Sequence, residues 1–293
     1  DEAFSQAFGL HQAGYLGEAC EIYKRLMETY PNHAQLLFLL GSADLQLRRY
    51  SEAERRLRQS IAIDQGNANA WSNLGVAIRE VGDPSLSVKA YAMALQLNPQ
   101  YSDAWYNRSI ALQEAGLIKD AISGYQRALN GSPKNVQAYN NLGNLLNQNG
   151  RQAEAIKAYN KAIILSPQYA DAYNNLGNSQ REMALLSGAI LSYERAVIIN
   201  PGYAEAINNQ GVVLRQIGER EQALICYDKA LEVKPDYVEA LNNKGTLLKE
   251  IGLFQESLLA YKRAISIRPS YPEGFSNLGM FFNGIRDFEE ALI

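Results

Sequence analysis

The sequence predicts an all-α protein assembled from stacked antiparallel helix pairs. Three observations carry that prediction. Seven of the nine prolines (Pro31, Pro99, Pro133, Pro167, Pro201, Pro235 and Pro269) share one 34-residue register, with only Gln65 out of step. Glycine recurs in the same register at Gly14, Gly82, Gly116, Gly150, Gly218 and Gly252. Between these markers the apolar residues follow helical spacing. Dividing 293 residues by 34 gives about 8.6 units, so one array over residues 1–293 replaces the two separate domains that length alone suggests. The units span 1–33, 34–67, 68–101, 102–135, 136–169, 170–203, 204–237 and 238–271, with a partial unit at 272–293.

Each unit reads as helix, turn, helix, stop. With residue 68 as position 1, the first helix carries its apolar face at positions 4, 7, 8 and 11, which cluster at 100° per residue. Position 8 is small (Gly41, Gly75, Ser109, Gly143, Gly177, Gly211, Gly245, Gly279), which permits close helix approach. Glycine at position 15 suits the left-handed residue that ends a helix. Asp83-Pro84 then reads as a cap and first-turn proline opening the next helix. The second helix sets a small residue at position 20 and tyrosine at position 24 (Tyr23, Tyr91, Tyr125, Tyr159, Tyr193, Tyr227, Tyr261). Proline at position 32 stops it, because proline has no amide hydrogen and disfavours the helical conformation before it. A lone hairpin cannot bury both faces, so stability is expected to accumulate along the stack.

Composition narrows the function. The 28 basic and 31 acidic residues give a formal charge of −3, which argues against a nucleic-acid partner. No apolar run approaches a membrane span, so no membrane partner is expected. Cys20 and Cys226 lie six repeats apart, an arrangement without a disulfide that fits a reducing, cytoplasmic setting. His11 and His33 have no metal-ligand neighbours at the required spacing. Neither a nucleophile elbow nor a phosphate-cradling loop is present, so no catalytic residue, metal or cofactor is expected in this segment.

Aromatic at position 4, Gly at 8, Ala at 20, Tyr at 24, Ala at 27 and Pro at 32 together resemble the tetratricopeptide repeat, across essentially the whole chain. Unit 34–67 departs most, with Leu57, Ser60 and Gln65 in place of tyrosine, alanine and proline. The resemblance implies a right-handed superhelical solenoid whose first helices line a concave groove.

On the face assigned to that groove, position 6 is asparagine in seven consecutive units: Asn73, Asn107, Asn141, Asn175, Asn209, Asn243 and Asn277. Position 5 adds Asn140, Asn174, Asn208 and Asn242, and position 9 adds Asn144 and Asn178. Asparagine is a mediocre helix former, so the column calls for a reason. A carboxamide both donates and accepts, matching the alternating N–H and C=O groups of an extended main chain. These thirteen residues are the expected peptide-binding set. An alternative is that the amides bond to neighbouring helices and stiffen the stack. The column resembles the repeat arm of O-linked N-acetylglucosamine transferases, which implies recruitment of extended protein substrates for an attached glycosyltransferase-like domain. Tyr106-Asn107-Arg108-Ser109 is locally similar to a co-chaperone carboxylate clamp, but Gln137 and Asn141 occupy positions where a clamp needs cations. Acidic residues at position 2 are read as helix-start charges, and the tyrosines after the prolines as packing residues.

The chain ends within the expected second helix of the partial unit. Phe281, Phe282, Ile285 and Phe288 would then remain partly uncovered, and end-to-end self-association is expected there. A structural assembly scaffold is the rival reading of the whole array.

Overall fold

The computed structural model describes residues 2–291, with side chains through Phe281. Seventeen helices are the only regular elements among the described residues. They form successive pairs: α1 (Glu2–Gln12) with α2 (Leu16–Thr29), α3 (Ala34–Gln46) with α4 (Tyr50–Ile63), and α5 (Ala68–Val81) with α6 (Pro84–Leu97). Next come α7 (Ser102–Glu114) with α8 (Ile118–Gly131), then α9 (Val136–Gln148) and α10 (Gln152–Leu165). The last are α11 (Ala170–Glu182) with α12 (Leu186–Ile199), α13 (Ala204–Gln216) with α14 (Arg220–Val233), and α15 (Val238–Glu250) with α16 (Phe254–Ile267), followed by α17 (Pro272–Ala291). The chain divides into two compact units, Asp1–Leu145 and Leu146–Ile293.

Every described turn within a pair passes through a left-handed residue at position 15. Six are glycines, from Gly150 at φ 72° to Gly82 at φ 110°. The other two are Arg48 at φ 59° and Ala184 at φ 58°, which hold the same geometry without glycine. Ala184 N–H donates to the Arg181 carbonyl and Leu185 N–H to that of Gln180, as Gly218 and Glu219 do to Arg215 and Leu214. These bonds satisfy the open carbonyls of the first helix and reverse the chain.

Between pairs, the residue at position 34 donates its N–H to the carbonyl at position 31. Tyr203 to Asn200 and Tyr237 to Lys234 are examples, at 3.0 and 3.1 Å. The intervening proline is thus the second residue of a tight turn, where its fixed φ is favourable. Asp83 caps α6 by accepting from Leu86 N–H at 2.8 Å.

The core of each hairpin is the tyrosine at position 24 seated on the glycine at position 8. A Cβ placed on Gly177 would lie 2.6 Å from Tyr193 Cε1, and one on Gly75 would lie 2.7 Å from the same atom of Tyr91. Where Ser109 replaces that glycine, the space is returned elsewhere: a Cβ on Gly124 would meet the Ser109 hydroxyl. In the second hairpin Leu57 takes the tyrosine's place over Gly41 and is fully buried. That hairpin also buries Asp44, which pairs with Arg56 and Arg49.

Within each unit, first helices touch the first helices of the next pair, α3 to α5 and α5 to α7 in one, α11 to α13 and α13 to α15 in the other. The second helices lie on the opposite side of the layer.

The last segment corrects an expectation. α17 runs uninterrupted from Pro272 to Ala291 with no turn at Arg286, so no separate second helix forms there. Arginine stands where six other units have glycine, and helical hydrogen bonding continues through it. Phe281 is buried rather than uncovered, packing edge-on against Phe254 and Tyr261. Phe282, Ile285 and Phe288 lie outside the described side chains.

Candidate functional site

The asparagine column is a set of ties between repeats. In the second unit, Asn209 Nδ2 donates to Asn174 Oδ1 at 3.2 Å, Asn243 to Asn208 at 3.0 Å, and Asn277 to Asn242 at 2.9 Å. Each bond joins position 6 of one repeat to position 5 of the repeat before. Asn209 also reaches Asn178 Oδ1, at position 9, at 3.2 Å. In the first unit the acceptors are not amides: Asn73 donates to the Ser42 hydroxyl at 2.9 Å and Asn141 to the Tyr106 hydroxyl at 3.3 Å. Asn107 has no such partner among the described residues.

Burial separates the two inner positions. Asn140, Asn174, Asn208 and Asn242 are all buried, Asn174 to 1% exposure. Asn73, Asn107, Asn141, Asn175, Asn209, Asn243 and Asn277 are half-buried, as are Asn144 and Asn178. The position-5 amides are thus set below the position-6 row, although Asn208 still lines the pocket described next. Packing against the next repeat covers them, and they act as acceptors beneath the position-6 row. Asn243 and Asn277 spend one N–H on the tie and keep the second N–H and the Oδ1 without partners among the described residues, whereas Asn209 spends its N–H groups on Asn174 and Asn178 and keeps only the Oδ1.

The second unit adds a polar pocket of about 590 Å³ over this row, and Asn208, Asn209, Asn243 and Val212 line its floor. Its walls are Arg181, Glu205, Lys234, Tyr237, Glu239, Arg268 and Tyr271. Lys234 sits over the Tyr237 ring at 5.1 Å, and Arg268 over the Tyr271 ring at 5.4 Å, one cation–π contact per repeat. Arg268 also holds Glu239 at 2.8 Å, while Glu205 accepts from Asn174 Nδ2 at 3.3 Å. Burial pushes the Tyr237 phenol up to about 12, so it remains a neutral donor at physiological pH. The pocket thus offers amides, two phenols and charges of both signs.

These wall residues are what sequence reasoning passed over. The acids at position 2 were read as helix-start charges and the post-proline tyrosines as packing. Their signal was present in the register: a cation at position 31 occurs only in the two units ending at 237 and 271, three residues before a tyrosine. Arg79 and Glu80 form a mutual ion pair at 2.6 Å in the first unit.

Cys20 and Cys226 are buried and free, and burial pushes their thiols above the ordinary range. His11 lies beside Tyr23 and Gln46, its Nδ1 3.5 Å from the phenol. Among the described residues there is no metal-holding group of His, Cys, Asp or Glu, and no helix long and apolar enough to cross a membrane.

An all-helical array of hairpins, each closed by a left-handed turn and tied to the last by side chains of its first helix, defines a repeat solenoid. The chain belongs to the tetratricopeptide repeat family. Profiles described as TPR repeat or tetratricopeptide repeat match residues 10–75, 73–132, 125–157, 143–183, 211–252 and 238–271. Among proteins, it is similar to the human protein O-mannosyl-transferase TMTC3, 26% identical over 87 residues. That match takes in 29% of this chain and only 10% of the transferase. Among solved structures, MamA is 27% identical with a TM-score of 0.51, over 55% of this chain and 94% of that one. YrrB, titled a TPR protein with an unusual peptide-binding site, is 23% identical with a TM-score of 0.58, over 64% and 97% of the two chains.

Proposed function

We propose that this chain is a non-catalytic protein-interaction scaffold that holds an extended polypeptide along its first helices. The observation that carries the reading is the polar pocket in the second unit, where half-exposed Asn209 and Asn243 keep free amide atoms between charged and phenolic walls. On Asn243 a free N–H and a free carbonyl suit a peptide bond, which presents the complementary pair, and Asn209 offers its carbonyl oxygen beside it. Each such bond is worth about 1 kcal/mol net, so several must act together. The position-5 amides support this by fixing the rotamer of the row above them. Repeat membership and the fold-level likeness to YrrB agree with a peptide ligand.

A finer reading makes the chain the recruiting arm of a glycosyltransferase-like protein. It is supported by the amide column and by the local similarity to a mannosyl-transferase. The rival, a purely structural scaffold, is favoured by one observation: each position-6 bond described above goes to another repeat.

The test uses a phage-displayed library of random 12-residue peptides, followed by anisotropy measurements on a selected peptide. Asn209→Ala with Asn243→Ala should weaken binding about tenfold, and N-methylation of alternate peptide bonds should weaken it further. Unchanged affinity in both arms would leave the structural reading standing.

A further inference from the structure

We infer that the outer seam between α6, α7 and α8 binds an acidic segment of a partner protein, whose carboxylate is taken by Arg108 and Arg127. The inference is independent of the groove reading. The array itself shows what a polar residue at position 7 needs. That position is leucine in five units (Leu40, Leu74, Leu142, Leu176 and Leu278) and Arg108, Gln210 or Lys244 in the others. Gln210 donates to Glu194 at 3.3 Å and Lys244 donates to Asp228; both carboxylates stand at position 25 of the preceding second helix. Position 7 thus faces the second helix of the repeat before. For Arg108 the corresponding residue is Ala92, which is small, exposed and has no side-chain acceptor. A pattern that the chain completes twice lacks its carboxylate here.

The unanswered guanidinium sits on a fixed platform. Trp105 Nε1 donates to the Pro99 carbonyl at 2.9 Å, and the indole packs with Ala94, Leu95 and Ala104. Arg108 lies over that ring at 5.6 Å and Arg127, from α8, at 4.8 Å, so two like charges share one indole. Neither arginine has a hydrogen-bond or ion-pair partner among the described residues, and Arg108 Nε is buried without one. Burial draws the Arg108 guanidinium below its ordinary range; Asp120 opposes that shift and Arg127 adds to it. Asp120 is exposed and within ion-pair distance of neither arginine, so it offsets at most one charge of the two. It is the only acid in α8, and α6 has none. On α7, Asp103 stands at position 2, where Glu205 and Glu239 line the groove pocket, and Glu114 acts on Arg79 of α5.

Shape and charge select the occupant. The same register positions one repeat earlier, among them Ile61, Trp71, Leu74 and Met93, enclose a cavity of about 380 Å³, so the seam is concave there. Arg58 fills position 25 of that repeat and is already paired, with Glu54. A guanidinium presents its N–H groups as a fork that matches a carboxylate, and two such forks can share one acid or take adjacent ones. A nucleic acid suits the seam less well, because a phosphate backbone needs a long row of bases and the chain carries a formal charge of −3.

Trp71→Phe leaves Trp105 as the sole tryptophan, a reporter inside the seam. The probe is an acetylated octapeptide of alternating glycine and glutamate, titrated against the whole chain by Trp105 fluorescence and by calorimetry. Arg108→Leu installs the usual residue of the register, and Arg127→Gln changes an exposed position. Each should weaken binding about tenfold without lowering the melting temperature. Ala92→Glu supplies the acid from within, so it should raise the melting temperature and weaken the peptide about tenfold by occupying Arg108. Asn209→Ala with Asn243→Ala should leave the affinity as it is; a loss there would put the peptide in the groove and overturn the inference. No binding, equal binding of a glutamine-for-glutamate peptide, or full affinity in both arginine variants overturns it too. Displacement of the peptide by an equal concentration of inorganic phosphate would make this a phosphate site and sink the assignment to an acidic protein segment.

Discussion

A primary amide has four hydrogen-bonding sites, and the asparagine column divides them between two tasks. Asn174 is buried at the foot of a tie and also accepts from the amide above, so Asn174→Ala should cost about 1–3 kcal/mol in denaturant unfolding. Asn243→Ala removes one tie from a half-exposed residue and should cost about 1 kcal/mol or less. The column was plain in the sequence, but its bonding was not. Each acceptor lies 35 or 31 residues back, and which side chain covers which depends on how hairpins superpose, a property of packing that spacing does not encode. The buried phenols act in another pH range. Burial holds Tyr193 and Tyr227 at about 12 when folded, against 10 for the free side chain. A raised folded value means that their contribution is complete below pH 10 and lost as pH climbs from 10 towards 12. Denaturant midpoints should therefore be flat up to about pH 10 and fall beyond it, together with the rise of phenolate absorbance.

At the scale of the hairpin, the left-handed turn and the tyrosine-on-glycine contact decide stability. Arg48 and Ala184 occupy a conformation that costs a residue bearing Cβ about 1 kcal/mol or more. Arg48→Gly and Ala184→Gly should each raise stability by about 0.5–1 kcal/mol in chemical unfolding, with no change in helix content. Gly177→Ala should do the opposite: its methyl would sit 2.6 Å from Tyr193, an overpacking worth about 1–3 kcal/mol. Most of this was legible, because a 34-residue register of glycine, tyrosine and proline fixes helix, turn and stop without tertiary information. The failure at α17 is instructive. The register alone called for a turn at Arg286, yet without glycine or a competing cap the helix propagates through it.

Across the whole molecule, stability and recognition are both divided among repeats. Each hairpin is held by its neighbours, so amide exchange should be slowest in the middle pairs of each compact unit and fastest in the hairpins at its margins. The described ties made by position 6 share one sense: Asn73, Asn141, Asn209, Asn243 and Asn277 each hand a proton to a residue earlier in the chain, while the buried Asn174 beneath them donates forward to Glu205. Within each unit these position-6 N–H groups therefore lean toward the amino terminus. A strand laid along such a wall meets a different pattern if turned end for end, so a guest peptide and its reversed-sequence twin would not be interchangeable, even with identical composition.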